Sequence, residues 1–155
     1  MALEIERKFL VQNDGWRGFV ECEWRIVQGY LATTGELTVR VRLKDDAAYL
    51  TLKGPPRGLV RSEFEYSIPP ADAEAMLREL AILPVIEKTR YRVRCGLHCW
   101  DLDVFAGDNA GLVVAEIELT GEQETFELPS WAGLEVTGDS RYSNASLARR
   151  PFREW

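Results

Sequence analysis

The chain has 155 residues, 46% apolar and 28% charged, the profile of one soluble globular domain spanning residues 1–155. A net charge of −6 argues against general affinity for nucleic-acid backbone or anionic membrane. No apolar run approaches the roughly 20 residues that span a bilayer, and charge alternates with hydrophobe from Glu4 onward, so a cytoplasmic address is expected.

Taken in chain order, residues 3–11 alternate apolar and charged side chains and predict a first strand. Trp16, Phe19, Val20 and Trp24 recur at helical spacing and predict a helix within 14–27. Strands follow over 37–44, 48–53 and 59–68, divided by Lys44-Asp45-Asp46 and Gly54-Pro55-Pro56-Arg57-Gly58. Residues 70–80 predict a helix, with Ala73, Met76, Leu77 and Leu80 on one stripe and Asp72 and Glu74 near its start. Strands over 86–95, 97–105 and 112–119 come next, then a short one around 133–137. Residues 127–131 and 144–149 read as short helical pieces.

Cys22, Cys95 and Cys99 are an odd number, expected as reduced thiols rather than a disulfide framework. Cys95, His98 and Cys99 have an unusual spacing for zinc and no second cluster, so they read as strand and turn residues. His98 takes no catalytic role.

The strands share an inverted pattern. Like charges stand two residues apart on one face: Glu4/Glu6, Arg40/Arg42, Glu63/Glu65, Asp101/Asp103 and Glu116/Glu118. Lys8, Lys53, Arg61, Lys88, Arg90 and Arg92 fall on the corresponding faces of their strands. Neighbours on one face lie about 7 Å apart, so like pairs repel unless counter-charge is supplied. An open sheet with one solvated face is the ordinary source of such alternation, but a solvated face would mix signs and include Ser, Thr and Gln. Closing the sheet into an antiparallel barrel of about eight strands puts the charges inside, in a space for side chains or one small ligand. The expected class is therefore mainly β (α+β), a closed eight-stranded antiparallel barrel with a charged interior and a few surrounding helices. Carboxylates suit Mg²⁺ or Mn²⁺, and guanidinium and ammonium groups suit phosphate. A ligand carrying metal and several phosphates satisfies both. The apolar outer faces would be covered by helices and a second subunit, which makes a homodimer an expected partner.

Glu4-Ile5-Glu6-Arg7-Lys8 resembles the ExExK signature of the CYTH superfamily, the triphosphate tunnel metalloenzymes. Gln28-Gly29-Tyr30-Leu31, Val39-Arg40-Val41-Arg42, Leu50-Thr51-Leu52-Lys53 and Arg61-Ser62-Glu63-Phe64-Glu65 follow in the family's order. So do Glu87-Lys88-Thr89-Arg90-Tyr91, Asp101-Leu102-Asp103, Ala115-Glu116-Ile117-Glu118-Leu119 and the stretch 135–144. The resemblance covers the chain and is to the short, single-domain bacterial branch. It implies a tunnel that hydrolyses a triphosphate, inorganic tripolyphosphate first, with Mg²⁺ or Mn²⁺. Carried over, Glu4, Glu6, Glu63, Glu65, Glu116 and Glu118 become metal-side ligands, with Asp103 beside them. Lys8, Arg40, Arg42, Lys53, Lys88 and Arg90 become phosphate contacts, and Tyr30 shapes one tunnel mouth. Lys8, Lys88, Glu63 and Tyr30 form the catalytic set. The attacking water is oriented by a second metal, a carboxylate or Lys88 acting as base. The alternatives are a class IV-like adenylate cyclase and a module that binds polyphosphate or nucleotide without turnover.

Overall fold

The computed structural model describes residues 2–155. Its strands are β1 (Ala2–Val11), β2 (Val20–Leu31), β3 (Thr38–Lys44), β4 (Ala47–Lys53), β5 (Val60–Ser67), β6 (Ile86–Cys95), β7 (His98–Phe105), β8 (Val113–Glu118) and β9 (Ala132–Glu135). Two α-helices, α1 (Pro70–Glu79) and α2 (Asn144–Arg149), decorate them. Hydrogen bonding runs β5-β4-β3-β2-β6-β7-β8-β1, and β5 pairs again with β1, closing an eight-stranded antiparallel barrel. β9 extends β1 beyond its stretch against β5.

The expected barrel is present, and seven of its eight strands, together with β9, begin and end within two residues of the spans read from the alternation. Two expectations are overturned. Residues 14–27 hold a 3₁₀ turn, Gly15–Phe19, and then the start of the twelve-residue strand β2. Trp16 is buried against Tyr91 outside the barrel, whereas Trp24 lies within reach of Lys44 and Arg92. Pairing to β3 and β6 on both edges outweighs the helical spacing of four side chains. Residues 127–131 are also not helical. Pro129 lacks a donor N–H, and the Trp131 carbonyl is taken by the Gln12 amide at 2.8 Å.

The outward apolar faces are covered mainly by the chain itself. α1 lays Ala73 and Leu77 on Val41, Ala48 and the outer side of β2. Gly29 permits that approach, since a Cβ there would stand 2.8 Å from both Leu77 and Ala81 side-chain carbons. A second outer cluster gathers Phe9, Trp100 and Trp131, with ring centroids 5.5 Å apart on each side of Trp100. Leu3, Phe64 and Tyr66 remain exposed along β1 and β5, the smaller part of the apolar exterior expected to seek a second subunit.

Inside, one end is apolar. Tyr30, Ile86, Phe105 and Val114 continue the inward faces of their strands and pack with Leu147 and Ala148 of α2. Ser143 caps α2 by accepting from the Ser146 amide at 3.1 Å. α2 therefore stops that end of the barrel. Among the described residues no helix is long and apolar enough to cross a membrane.

Candidate active site

The barrel encloses a cavity of about 290 Å³, small for an organic ligand, since such pockets run from roughly 300 to 1,000 Å³. Nineteen residues line it, and fourteen are charged, seven of each sign. Glu4, Glu6, Lys8, Tyr30, Arg40, Arg42, Lys53, Glu63, Glu65, Lys88, Arg90, Glu116 and Glu118 are all among them. The structure thus brings together every residue expected at the site except Asp103.

The acids gather around β1, β5 and β8. Glu6 stands directly opposite Glu118 across the β1–β8 ladder, and Lys8 opposite Glu116. Like charges facing each other across a ladder are destabilising. Burial, reinforced by Glu116 and Glu4, pushes the Glu6 carboxyl well above the usual carboxylate range. Burial and the charges of Glu4 and Glu63 also raise Glu118. Other acids are compensated by cations. Burial works against ionisation of Glu116, but Lys8 at 3.5 Å and Arg90 outweigh it and hold its pKa at about 2. Lys53 bridges Glu4 at 2.9 Å and Glu63 at 3.4 Å.

Among the described residues no three acidic, imidazole or thiolate groups converge closely enough to hold an ion unaided. The donor set is nonetheless hard oxygen throughout, and the facing Glu6 and Glu118 lack sufficient counter-charge. Those residues fit a divalent cation of the Mg²⁺ or Mn²⁺ type, with Glu4, Glu63, Glu65 and Glu116 within the same lining.

The cationic side is short of anions. Arg40 meets Glu65 at 3.4 Å, yet its Nε is buried without a hydrogen-bond partner. Arg42 donates from Nε to Gln28 Oε1 at 2.7 Å. Burial, with Arg40 and Arg90 adding repulsion, lowers its pKa to about 9. An orphaned guanidinium donor beside a crowded one fits the chemistry of phosphate oxygens.

Asp103 is the one expected site residue outside the cavity lining. It lies buried beneath the lining, with Lys88 Nζ at 2.7 Å and Arg90 bonded through both Nε and one Nη at 2.8 and 2.9 Å. Those cations overcome burial and keep it ionised, with both oxygens bonded. Burial lowers Lys88 to about 7, Arg90 and Arg42 adding to the effect and Asp103 opposing it. Sequence reasoning gave no site role to Thr38, Arg61, Asp101, the α2 cap Ser143, or Asn144 and Ala145 of α2, which also line the cavity. Arg61 and Asp101 share the inward parity of their strands, a usable signal; Ser143 and Asn144 close the stretch 135–144 that carries the resemblance, and Thr38 and Ala145 had no signal.

Residues 2–152 match the CYTH domain. The chain belongs to the CYTH family. Among CYTH relatives, an inorganic triphosphatase of Acetivibrio thermocellus is 43% identical, over 100% of this chain and 99% of that one. An inorganic triphosphatase of Nitrosomonas europaea is 39% identical, over 94% and 96% respectively. The crystal structure of the inorganic triphosphatase NE1496 matches at a TM-score of 0.67 and 37% identity, covering 96% of this chain and 95% of that one. HpAC1 from Hippeastrum, described as a putative adenylyl cyclase with a dominant triphosphatase activity, shares 17% identity at a TM-score of 0.58 over 76% and 80%, a likeness of fold alone. Metal dependence is general among CYTH triphosphatases.

Proposed function

We propose that the chain hydrolyses inorganic tripolyphosphate to pyrophosphate and phosphate, with Mg²⁺ or Mn²⁺. The cavity lining carries this reading: seven acids and seven bases share one small enclosed space, and of the nineteen lining side chains Ala145 alone has no polar atom. A purine ring would find no apolar slot, which disfavours adenylate cyclisation. Seven lining acids disfavour a module that only binds anions.

Phosphoryl transfer needs charge neutralisation and in-line placement more than covalent help. Arg40, Arg42, Lys53, Lys8 and Arg90 hold the phosphates along the tunnel. Glu6 and Glu118, with Glu4, Glu63, Glu65 and Glu116, would hold the cation, which when bound would supply positive charge against the phosphate oxygens. Lys88, neutral above about pH 7, takes a proton from the attacking water as the new P–O bond forms. The bridging P–O bond breaks, and the pyrophosphate charge is met by the arginines. Asp103 keeps Lys88 and Arg90 in place. Three free thiols accord with a reducing compartment, and we place the reaction in the cytoplasm.

A panel of tripolyphosphate, thiamine triphosphate, ATP and GTP with either metal tests the substrate assignment. Tripolyphosphate is expected to have the highest kcat/KM, and ATP to yield no cyclic AMP. A preference for ATP with cyclic AMP as product would replace this reading by the cyclase.

A further inference from the structure

We propose that Asn144 and Gln28 are positioning residues that aim the Lys88 amine and the Tyr30 hydroxyl into the cavity, an inference that rests on the triphosphatase reading. The chain of contacts begins at Arg42. A guanidinium has donors only, so its 2.7 Å bond to Gln28 Oε1 decides which way the fully buried Gln28 amide faces. Gln28 Nε2 must then donate, and it does so to Tyr30 Oη at 3.1 Å and to Asn144 Oδ1 at 3.0 Å. The same Asn144 oxygen accepts from Lys88 Nζ at 2.8 Å, while Asp103 Oδ2 accepts from Nζ at 2.7 Å.

A neutral primary amine has two N–H bonds and one lone pair. With one N–H on Asp103 and the other on Asn144, the lone pair has a single direction left. Lys88 borders the cavity, and a lone pair aimed there can accept a proton from water. With Asp103 alone, the amine would turn about its Cε–Nζ bond and the lone pair would sweep a cone. The Tyr30 oxygen accepts from Gln28 and leaves its own O–H to be donated to a phosphate oxygen. α2 therefore contributes to the reaction centre through Asn144, besides stopping the barrel end.

Gln28 also holds Arg42, so its substitution would disturb phosphate binding; Asn144 isolates the effect. The experiment is steady-state hydrolysis of tripolyphosphate with Mg²⁺ by Asn144→Ala and Asn144→Asp, across pH, beside thermal melting of each. Asn144→Ala is expected to lower kcat tenfold or more while KM stays within twofold and the melting temperature within a few degrees. Asn144→Asp restores an acceptor whose charge favours the ammonium form of Lys88. The other groups facing that amine (Asp103 on β7, Arg90 on β6, Arg42 on β3, Glu116 on β8) are unchanged. Its kcat relative to wild type should therefore recover as pH rises above neutrality, which Asn144→Ala should not do. Wild-type kcat in Asn144→Ala, or equal losses in both variants at every pH, overturns the positioning role and leaves the triphosphatase reading intact. Failure of the wild type to hydrolyse tripolyphosphate would instead overturn that reading.

Discussion

Replacing Lys88 with methionine is expected to lower kcat for tripolyphosphate about 10²–10⁴-fold, the usual contribution of a general base. That loss corresponds to about 2.7–5.4 kcal/mol of transition-state stabilisation. KM should change little, because the Arg40, Arg42 and Arg90 guanidiniums still hold the phosphates. Folding should survive, since Arg90 keeps both Asp103 oxygens bonded after the ammonium is removed. The wild-type profile carries the matching sign. Below about pH 7 the amine is protonated and cannot accept a proton; above it the lone pair is available. The kcat of the wild type should rise through that region, and the residual rate of Lys88→Met should lack that step. A Lys88→Met enzyme within a few-fold of wild type would remove Lys88 as the base.

The second large effect belongs to Glu6. It faces Glu118 across the ladder, and the geometry leaves the pair without enough counter-charge. Glu6→Gln should therefore raise the concentration of Mg²⁺ needed for half-maximal activity more than tenfold and lower kcat/KM about 100-fold. The same change should make the metal-free protein more stable. Folding pushes the Glu6 pKa up, so the folded state disfavours its ionised form; at neutral pH a neutral amide removes that cost. The expected signature is a higher melting temperature without metal and a smaller rise when Mg²⁺ is added. Functional sites commonly hold such a trade between stability and activity. Lower stability together with an undiminished response to Mg²⁺ would take Glu6 out of the cation site.

The barrel and both charged walls were legible in the sequence because period-two alternation was combined with like charges in pairs. Glu4/Glu6, Arg40/Arg42 and Glu116/Glu118 could not all face water comfortably, and closure was the physical remedy. β2 escaped because its first half reverses that pattern: Glu21, Glu23 and Arg25 point outward, while Trp24 and Ile26 point in. Its aromatic residues also happened to recur at helical spacing. The surroundings of Asp103 were not legible, because parity says only that a side chain points inward. Whether it faces a cavity or two cations depends on register, and Arg90 is its cross-strand partner. The contact of Asn144 with Lys88 was not legible, although the residue closes the stretch 135–144: it is uncharged and 56 residues from Lys88, brought to that amine by the packing of α2.

The central claim is metal-dependent cleavage of a triphosphate inside the tunnel, and phosphorus NMR of the purified chain with tripolyphosphate tests it most directly. With Mg²⁺ or Mn²⁺, each substrate molecule should yield one pyrophosphate and one phosphate, and chelation with EDTA should stop the reaction. An unchanged tripolyphosphate spectrum with metal present, or the same rate of cleavage in EDTA, would contradict the account.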